Sequence, residues 1–308
     1  MTDVDKPVVE QFSREQLQQF SDLLNRLGSH GFKRWPESAE DLEPEMEALR
    51  VDPESGIVLL RSGDALRGYG LVILEPDIGR AVVSIAAEPG YVDALEPVLN
   101  ALIAKVKASE IPSIHVAAKS TPVEPLALIE DRGAERIQAN LELKLDRRDA
   151  SNIMDVELAE GFSIRPMRSS VEVLRLTQLQ NSVFAKHWGF SQNSPEEIQS
   201  KLDLPVTGPE HVLFCESPEG DLAGYVWTAV EWRDEATVGK IWMTGIAPQF
   251  RKSGLGNAIV TAGVKHLLAQ GAAVLELEVL ENNPAAVRIY EGLGFVTTGR
   301  TDWYELKV

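Results

Sequence analysis

The second half of the chain alternates between short hydrophobic runs and segments with helical periodicity. Runs typical of β-strands cover residues 162–167, 211–215, 222–232, 240–246 and 273–280, and the polar stretch 233–238 predicts a hairpin. Apolar positions between 254 and 271 recur at the helical period, which predicts a helix ending at Gly271. Pro284, after Asn283, predicts the start of another helix, and two more are expected within 170–203. The pattern predicts an α+β fold with a mixed, largely antiparallel twisted sheet flanked by helices.

The first half of the chain repeats the second with small drifts in spacing. The segment 66–75 matches 222–231, with leucine, glycine, tyrosine and glutamate in the same places. Further along the shift is 161, at which Gly133 meets Gly294, and the similar runs 142–145 and 305–308 lie 163 positions apart. Ordered matches of this kind predict a duplicated domain. We expect two tandem domains, 1–150 and 151–308, joined by the polar linker 146–152.

Composition and charge exclude several classes of function. The 308 residues include 30 Lys and Arg against 47 Asp and Glu, so the formal net charge is −17. Such a surface repels phosphate backbones, and nucleic acid is not an expected partner. The negative charge suits a cationic amine substrate, and it equally suits solubility alone. A single cysteine, Cys215, excludes an internal disulfide, and the five histidines lack metal-ligand spacing, so no metal is expected.

The N-terminal segment has no features of a targeting signal. Residues 1–16 contain neither a basic region nor an apolar core, and no stretch approaches the roughly 18 apolar residues of a membrane span. We therefore expect a cytoplasmic protein that does not insert into a membrane.

The segment 245–257 has the composition of an anion-binding loop. It leaves a predicted strand and opens a predicted helix, so the unpaired amides and the positive dipole end of that helix face the loop. Gly254 and Gly256 let the backbone approach a ligand closely, and Arg251 and Lys252 add positive charge. Pyrophosphate is the expected guest, and a tight strand-to-helix turn without a ligand is the alternative.

Two motifs in this half resemble those of the GNAT acyltransferase superfamily. The spacing of Ile246, Pro248, Arg251, Gly254 and Gly256 is similar to its acetyl-CoA loop. A second motif resembles the later signature of the superfamily and consists of Asn283, Ala286, Tyr290, Gly294 and Phe295. The resemblance covers residues 161–308 directly and the first half only through the repeat. It implies an acetyl-CoA-dependent N-acetyltransferase acting on a primary amine of a small molecule or of a peptide N-terminus.

The resemblance also implies which residues hold acetyl-CoA. In the superfamily the pantetheine arm inserts between two splayed strands, so the backbone of Ile246 is expected to bind it, and Asn283 is expected to contact the cofactor. The other expected cofactor-binding residues belong to the same two motifs: Ala247, Pro248, Arg251, Lys252, Ser253, Gly254, Leu255, Gly256, Asn257 and Tyr290.

Acetyl transfer to an amine needs a base for the amine and a proton donor for the departing thiolate. By the resemblance Tyr290 is the expected donor, and packing within a helix is its alternative role. Glu278 is the first candidate for the base, because its surroundings are similar to those in ribosomal-protein alanine N-acetyltransferases, and Glu231 is the second. An aromatic cluster is the candidate acceptor wall, with packing between helices as the alternative: His187, Trp188 and Phe190.

The first copy lacks the residues that these roles require. At an offset of 161, the counterparts of Arg251, Gly254, Gly256 and Tyr290 are Gly90, Asp93, Leu95 and Ile129. Three carboxylates, Glu88, Asp93 and Glu96, would also repel a pyrophosphate there. We expect a degenerate GNAT-like domain that does not bind CoA in the usual way and that packs on the catalytic domain.

Two other interpretations stay open. The duplicated fold could serve as a non-catalytic acyl-CoA-binding or interaction module. Tandem copies with a degenerate first half are also similar to the mycothiol synthase family, in which a carboxylate implicated in catalysis begins the strand before the loop. Lys240 occupies that position here.

Overall fold

The computed structural model describes residues 6–30, 38–48, 51–119, 121–154, 156–233 and 235–308. The chain divides into two compact units, the first formed by residues 1–138 with 301–308 and the second by residues 139–300. Residues 1–5 of the segment without targeting features, and Asp234 in the expected hairpin, lie outside the described residues. Within the described ranges, no helix is long and apolar enough to cross a bilayer.

The first unit is an α+β structure whose strands pair mostly with their neighbours in sequence. Its strands are β1 (Val8–Gln11), β2 (Ile57–Ser62), β3 (Ala65–Glu75), β4 (Arg80–Ala87) and β5 (Ser113–Ala118). Its helices are α1 (Leu17–Gly28), α2 (Ala39–Ala48), α3 (Pro53–Gly56), α4 (Glu96–Ala108) and α5 (Leu126–Asp131). β1 to β4 form an antiparallel series, β4 pairs parallel with β5, and β5 pairs antiparallel with residues 302–307.

The second unit has the same topology. After β6 (Glu135–Asp146) come β7 (Ser163–Pro166), α6 (Val173–Phe184), α7 (Pro195–Leu202), β8 (Val212–Glu216), β9 (Leu222–Arg233) and β10 (Ala236–Ile246). The remaining elements are α8 (Leu255–Ala269), β11 (Val274–Leu280), α9 (Pro284–Gly292) and β12 (Val296–Lys307). β7 to β10 are antiparallel, β10 pairs parallel with β11, and β11 pairs antiparallel with residues 140–146 of β6. The predicted mixed, largely antiparallel α+β fold is confirmed.

The two faces of the second sheet bury two separate hydrophobic clusters. Because side chains alternate along a strand, Leu275, Leu277 and Val279 of β11 point to one face and Glu276 and Glu278 to the other. The first face packs against α8 and α9. The opposite face carries the aromatic side chains of β8 and β9 and packs against α6 and α7. We call these the α8 face and the α6 face.

Each unit is completed by a strand from the other half of the sequence. Residues 139–146 of β6 follow directly on the first unit but belong to the second, while the last residues of β12 belong to the first. The units are therefore not consecutive in the chain, whereas the expected domains met near residue 150. The segment expected as an irregular linker also begins inside β6 and continues as a short 3₁₀ helix at Asp149–Asn152.

Candidate active site

Strands β10 and β11 separate at the end where the candidate loop begins. Their parallel pairing runs from Val238 and Val274 to Ile241 and Leu277 and covers four residue pairs. Both strands continue, since β10 stays paired with β9 to Ile246 and β11 stays paired with β6 to its last residue. A β-bulge in β10 lies next to the last shared pair. The strands thus enclose a wedge whose backbone groups face each other without forming a ladder.

The loop after β10 turns twice through left-handed backbone. Ala247 is buried and its amide donates to the carbonyl of Ala223, and a 3₁₀ turn follows at Pro248–Phe250. Lys252 has a φ of 66° and Gly254 a φ of 81°. A Cβ at Gly254 would meet no atom within 4 Å, so the position is open. Alternating backbone conformations of this kind direct amides into a concavity that suits an anion.

Helix α8 begins at this concavity without a side-chain cap. Its N-cap, Gly254, offers no side chain, so the first turn leaves amides free for a ligand. Gly256 is the second helical residue, and a Cβ there would lie 3.5 Å from Cδ1 of Ile289. Leu255 is buried beneath the turn, Asn257 follows at its rim, and the Ser253 hydroxyl donates to the carbonyl of Phe250.

The guanidinium of Arg251 binds the protein's own backbone. Its Nε donates to the carbonyl of Ile246 at 3.1 Å, and its NH2 donates to the carbonyl of Val183 at 2.8 Å. These bonds tie the loop to the end of β10 and to α6. Arg251 therefore shapes the loop in this structure, while its expected contact with pyrophosphate stays a prediction.

Helix α9 presents the second motif. The Asn283 side chain accepts a hydrogen bond from the Ala286 amide at 3.3 Å, so Asn283 caps the helix, which begins at Pro284 as predicted. Tyr290 lies two turns further along the same face and is 5% exposed. Burial raises the pKa of its phenol to about 12, so the group is neutral and carries a proton at neutral pH. Its ring packs edge-on against Phe295.

The candidate acid and the first candidate base lie on opposite faces of the wedge. Tyr290 packs in the α8-face cluster together with Leu255, Val279 and Ile246, which come from the three elements around the wedge. Glu278 is next to Val279 on β11 and so points to the α6 face, where it is exposed. A group threaded between the strands would have the phenol on one side and the carboxylate on the other.

Asn140, on β6, lies beside the candidate base Glu278 and was not predicted from the sequence. Its Nδ2 donates to Oε2 of Glu278 at 3.3 Å, while its Oδ1 is buried without a partner among the described residues. The two residues are diagonal neighbours across the β6–β11 pair. Two oxygen acceptors, one on each side chain, therefore lie together beside the wedge.

Glu231, the second candidate base, is held by cations. Its carboxylate lies 3.0 Å from Lys240 and 3.0 Å from Arg233, and Arg233 also bridges to Glu276. Glu276 is bound by Lys144 as well. The α6 face thus carries a chain of ion pairs in which Glu231 and Glu276 are each bound by two cations. Glu278 is not part of this chain and has no salt-bridge partner in the described part of the protein.

The three candidate acceptor-wall residues follow the end of α6. The His187 ring packs edge-on against Phe184, and the ring centroids of Phe184 and Phe190 are 5.8 Å apart. Burial lowers the pKa of His187, and the positive charge of Arg251 lowers it further, so this segment lies near the loop. Trp188, between them, is half-buried. Packing between these rings is present, and a role in binding the acceptor stays a prediction.

The single cysteine of the chain belongs to the hydrophobic core of the second unit. Cys215 is fully buried on the α8 face, and burial raises the pKa of its thiol to about 11. Among the described residues, no group of three or more His, Cys, Asp or Glu side chains is arranged to hold a metal ion.

The first unit contains a counterpart of the loop, at an offset of 159 and not the expected 161. Glu88 has a φ of −53° and a ψ of 145°, against −56° and 141° for Ala247, and each residue precedes a proline. The Glu88 amide donates to Arg67 O, which corresponds to Ala223 O. The expected counterparts Gly90, Asp93 and Leu95 are therefore corrected to Val92, Leu95 and Pro97. Ile129 remains the counterpart of Tyr290, because both helices end in the same turn.

The counterpart loop is closed in three ways. The amide of Ala87, which corresponds to Ile246, donates to the carbonyl of the buried Val123. A 3₁₀ helix at Pro89–Leu95 runs straight into α4, with no positive φ between Glu88 and Glu96 in this fully described segment. Pro97 stands at the second position of α4, where it has no amide proton to offer.

The carboxylates expected to repel an anion are partly neutralised. Glu88 accepts hydrogen bonds from Arg26 and Arg67 at 2.7 and 2.8 Å. Burial alone would raise the pKa of Glu88, but these two bonds hold it below its ordinary value. Glu96 pairs with Arg132 at 2.7 Å. Backbone closure therefore contributes to the loss of the loop in addition to charge.

Residues 174–295, all of which lie in the second unit, match the acetyltransferase (GNAT) family. The chain is similar to the mycothiol acetyltransferase of Stackebrandtia nassauensis, with 28% identity over 256 residues that cover 80% of each chain. The mycothiol acetyltransferase of Kocuria rhizophila is 26% identical over 84% of this chain and 88% of that one.

The fold of the whole chain is similar to that of two solved proteins. A tandem GNAT protein from the clavulanic acid biosynthesis pathway superposes with a TM-score of 0.73 over 98% of both chains, at 18% identity. A GCN5-related N-acetyltransferase from Sphaerobacter thermophilus gives a TM-score of 0.75 over 98% of this chain and 95% of that one, at 15% identity. At these identities the likeness concerns the fold alone.

Proposed function

We propose that the protein transfers the acetyl group of acetyl-CoA to a primary amine of a small molecule or of a peptide N-terminus. The observation that carries this proposal is the wedge between β10 and β11, which leads directly to the uncapped start of α8. The wedge offers backbone groups to the pantetheine arm, with Ile246 on one wall. The amides of the first turn of α8 suit the pyrophosphate.

The residues around the wedge fit a direct transfer. The amine loses one proton to Glu278 on the α6 face and attacks the thioester carbonyl. The C–N bond forms and the C–S bond breaks, and Tyr290 on the α8 face gives its proton to the leaving sulfur. The phenolate then regains a proton released by the new amide nitrogen. A buried phenol whose pKa is raised to about 12 stays protonated until the thiolate leaves.

The acceptor end of the site favours an ammonium group. Glu278 is a carboxylate whose partner in the described residues is the neutral amide of Asn140, and the buried Oδ1 of Asn140 is a second acceptor. Two acceptors of this kind suit the several N–H donors of a primary ammonium. Glu231, bound by Lys240 and Arg233, is the weaker candidate for the base.

The expected packing of the first domain on the second stays a prediction.

A mycothiol-related amine is a second, narrower candidate for the acceptor. It is favoured by the similarity to mycothiol acetyltransferases over four-fifths of the chain. Lys240 stands where the mycothiol synthase family has a catalytic carboxylate, and its ion pair with Glu231 occupies that place here. The broader class of primary amines is therefore the proposal.

Calorimetric titration of acetyl-CoA into the full chain tests the donor site. Gly254→Asp places a carboxylate at the start of α8, and Gly254→Asn is the matched neutral control, since both residues tolerate a left-handed backbone. We expect Gly254→Asp to weaken binding at least tenfold more than Gly254→Asn. Equal binding by both variants, or no binding by the wild type, would remove this assignment of the loop.

Release of CoA thiol in the presence of a panel of primary amines tests the reaction. Glu278→Gln should lower kcat by about a hundredfold and leave the Kd of acetyl-CoA unchanged. If affinity is high but no amine in the panel, including the mycothiol precursor, releases thiol, the non-catalytic acyl-CoA-binding module becomes the better explanation.

A further inference from the structure

We infer that Trp242 forms, together with Glu278 and Asn140, a binding site for an alkylammonium group, and that its indole ring makes the protein select charged aliphatic amines as acceptors. The inference rests on the proposed function, because it concerns the acceptor of the same reaction. An aliphatic amine is charged at neutral pH and an aromatic amine is not, so the inference narrows the class of acceptor.

A β-bulge in β10 places the side chain of Trp242 at the point where β10 and β11 separate. The last pair that the two strands share is Ile241 with Leu277, so Trp242 and Glu278 come next on their strands. Ile241 belongs to the cluster of the α8 face, whereas Trp242 and Met243 both pack against the cluster of the α6 face. The extra residue of the bulge therefore puts two consecutive side chains on one face, which regular alternation does not allow.

Two oxygen acceptors lie across the wedge from Trp242 on the same face. Glu278 is exposed on the α6 face, and the Nδ2 of Asn140 donates to its Oε2 at 3.3 Å. The Oδ1 of Asn140 is buried without a partner among the described residues. The first unpaired positions of the wedge thus carry an indole on one strand and a carboxylate on the other.

Trp242 is supported by contact with a second indole. The ring centroids of Trp227 and Trp242 are 6.1 Å apart, with an angle of 53° between the ring planes. Trp227 is fully buried, and its Nε1 donates to Oγ1 of Thr207 at 2.8 Å, which fixes its orientation. Trp242 itself is half-buried, so a part of its surface is available to a ligand.

The indole and the carboxylate favour the same kind of ligand. The face of a tryptophan ring attracts a cation more strongly than that of any other aromatic side chain, and Glu278 adds a negative charge. The positive charge of Lys240, two residues earlier on β10, is compensated by Glu231 at 3.0 Å. An alkylammonium group can donate its N–H groups to Glu278 and Asn140 and lay its carbon atoms against the indole. A neutral amine would lose the electrostatic part of both contacts.

Binding of tetramethylammonium to the full chain, measured by ligand-observed NMR titration, tests the site with a cation that cannot be acetylated. The neutral molecule of similar size is tert-butanol. The wild type should bind tetramethylammonium at least about tenfold more tightly than tert-butanol. Trp242→Leu should weaken the binding of tetramethylammonium by about tenfold, and Trp242→Phe by about threefold or less, because a phenyl ring keeps part of the attraction.

Steady-state kinetics with a panel of primary aliphatic amines tests the role in the reaction. Trp242→Leu should raise the KM of these amines by about tenfold and change kcat by less than about threefold. The Kd of acetyl-CoA should stay at the wild-type value. Trp232→Leu is the matched control, because Trp232 is 74% exposed and points to the opposite face from its neighbour Glu231.

Equal binding of tetramethylammonium and tert-butanol by the wild type, or unchanged binding of tetramethylammonium by Trp242→Leu, would overturn the inference. If acetyl-CoA does not bind and no amine is acetylated, the proposed function itself fails. If amines are acetylated and their KM is the same in Trp242→Leu as in the wild type, only the inference about Trp242 is wrong.

Discussion

The loops 88–97 and 247–256 start from the same backbone geometry and diverge within a few residues. In the second unit two left-handed residues open the turn and leave the start of α8 uncapped. In the first unit a continuous 3₁₀ helix takes their place, Val123 binds the strand amide, and Pro97 removes a donor. The difference teaches that a GNAT-type loop can be lost through its backbone while the surrounding sheet keeps its topology.

The largest expected effect concerns Tyr290, whose counterpart in the first unit is Ile129. Tyr290→Phe should lower kcat by about a hundredfold to a thousandfold, because the thiolate would lose its proton donor. The Kd of acetyl-CoA, measured by calorimetry, should change less than about threefold. Tyr69→Phe, a buried phenol of the first unit, is the control and should leave kcat unaltered. Full activity in Tyr290→Phe would refute the acid role.

A proline at position 256 would copy the first loop into the second. Gly256→Pro should weaken acetyl-CoA binding by about tenfold to a hundredfold, since it deletes one amide that faces the pyrophosphate. The fold should persist, because Pro97 occupies the same helical position in α4. Gly256→Ala keeps the amide and has space for its Cβ, so it should bind nearly as the wild type does. Similar affinities for both variants would contradict this contribution of the amide.

Alkaline pH should separate Tyr290 from its apolar counterpart. Its pKa in the folded state is raised to about 12, above the unfolded value near 10, so its contribution to stability is present below pH 10 and is lost as the pH rises toward 12. Between about pH 9 and about pH 11, the free energy of unfolding should fall by about 1 kcal/mol more in the wild type than in Tyr290→Phe. Parallel pH profiles in urea titrations would argue against a buried phenol here.

Two buried tyrosines, Tyr69 in the first unit and Tyr225 in the second, provide a comparison with a smaller expected effect on stability. The hydroxyls of Tyr69 and Ser84 are 2.9 Å apart, whereas the buried hydroxyl of Tyr225 has no partner among the described residues. Tyr69→Phe should lower the free energy of unfolding by about 1 kcal/mol, and Tyr225→Phe should leave it unchanged or raise it slightly. Denaturant titrations of the two variants measure the difference, and equal losses would mean that Tyr225 has a partner in solution.

The last prediction is that adding two cations to the first loop has no effect on acetyl-CoA binding. Val92→Arg with Asp93→Lys gives the first loop the two cations of the second, but it leaves the 3₁₀ helix and Pro97 in place. Calorimetry on the Gly254→Asp background should therefore detect no new acetyl-CoA site. A recovered site would mean that charge, rather than backbone closure, decides the difference between the units.

The local pattern of the second half was sufficient to predict its strands, its last two helices with the start of α9 at Pro284, and the location of the loop. The offset of 161 failed at the loop, because the two copies adopt different backbones between the same strand and the same helix. Matching residues outside the loop could not reveal where the spacing changed. The correspondence of Glu88 with Ala247 became visible only from dihedral angles and hydrogen bonds.

Strand pairing was the other feature that the sequence left open. The runs 142–145 and 305–308 are almost identical, so each has the alternation that either sheet needs. Nothing local distinguishes a strand that stays in its own unit from one that is exchanged. Asn140 was missed for this reason, since it reaches Glu278 only because β6 joins the second sheet.

Because each unit contains a strand from the other half of the sequence, the two halves depend on each other for folding and in evolution. The first unit cannot complete its sheet until residues 301–308 have left the ribosome, so its final folding step waits for synthesis of the second half. A gene fragment encoding only residues 151–308 would leave β11 with an open edge, which invites aggregation. A lineage that lost the degenerate half would lose β6 with it, so selection on catalysis alone is enough to preserve a half that has given up its own loop.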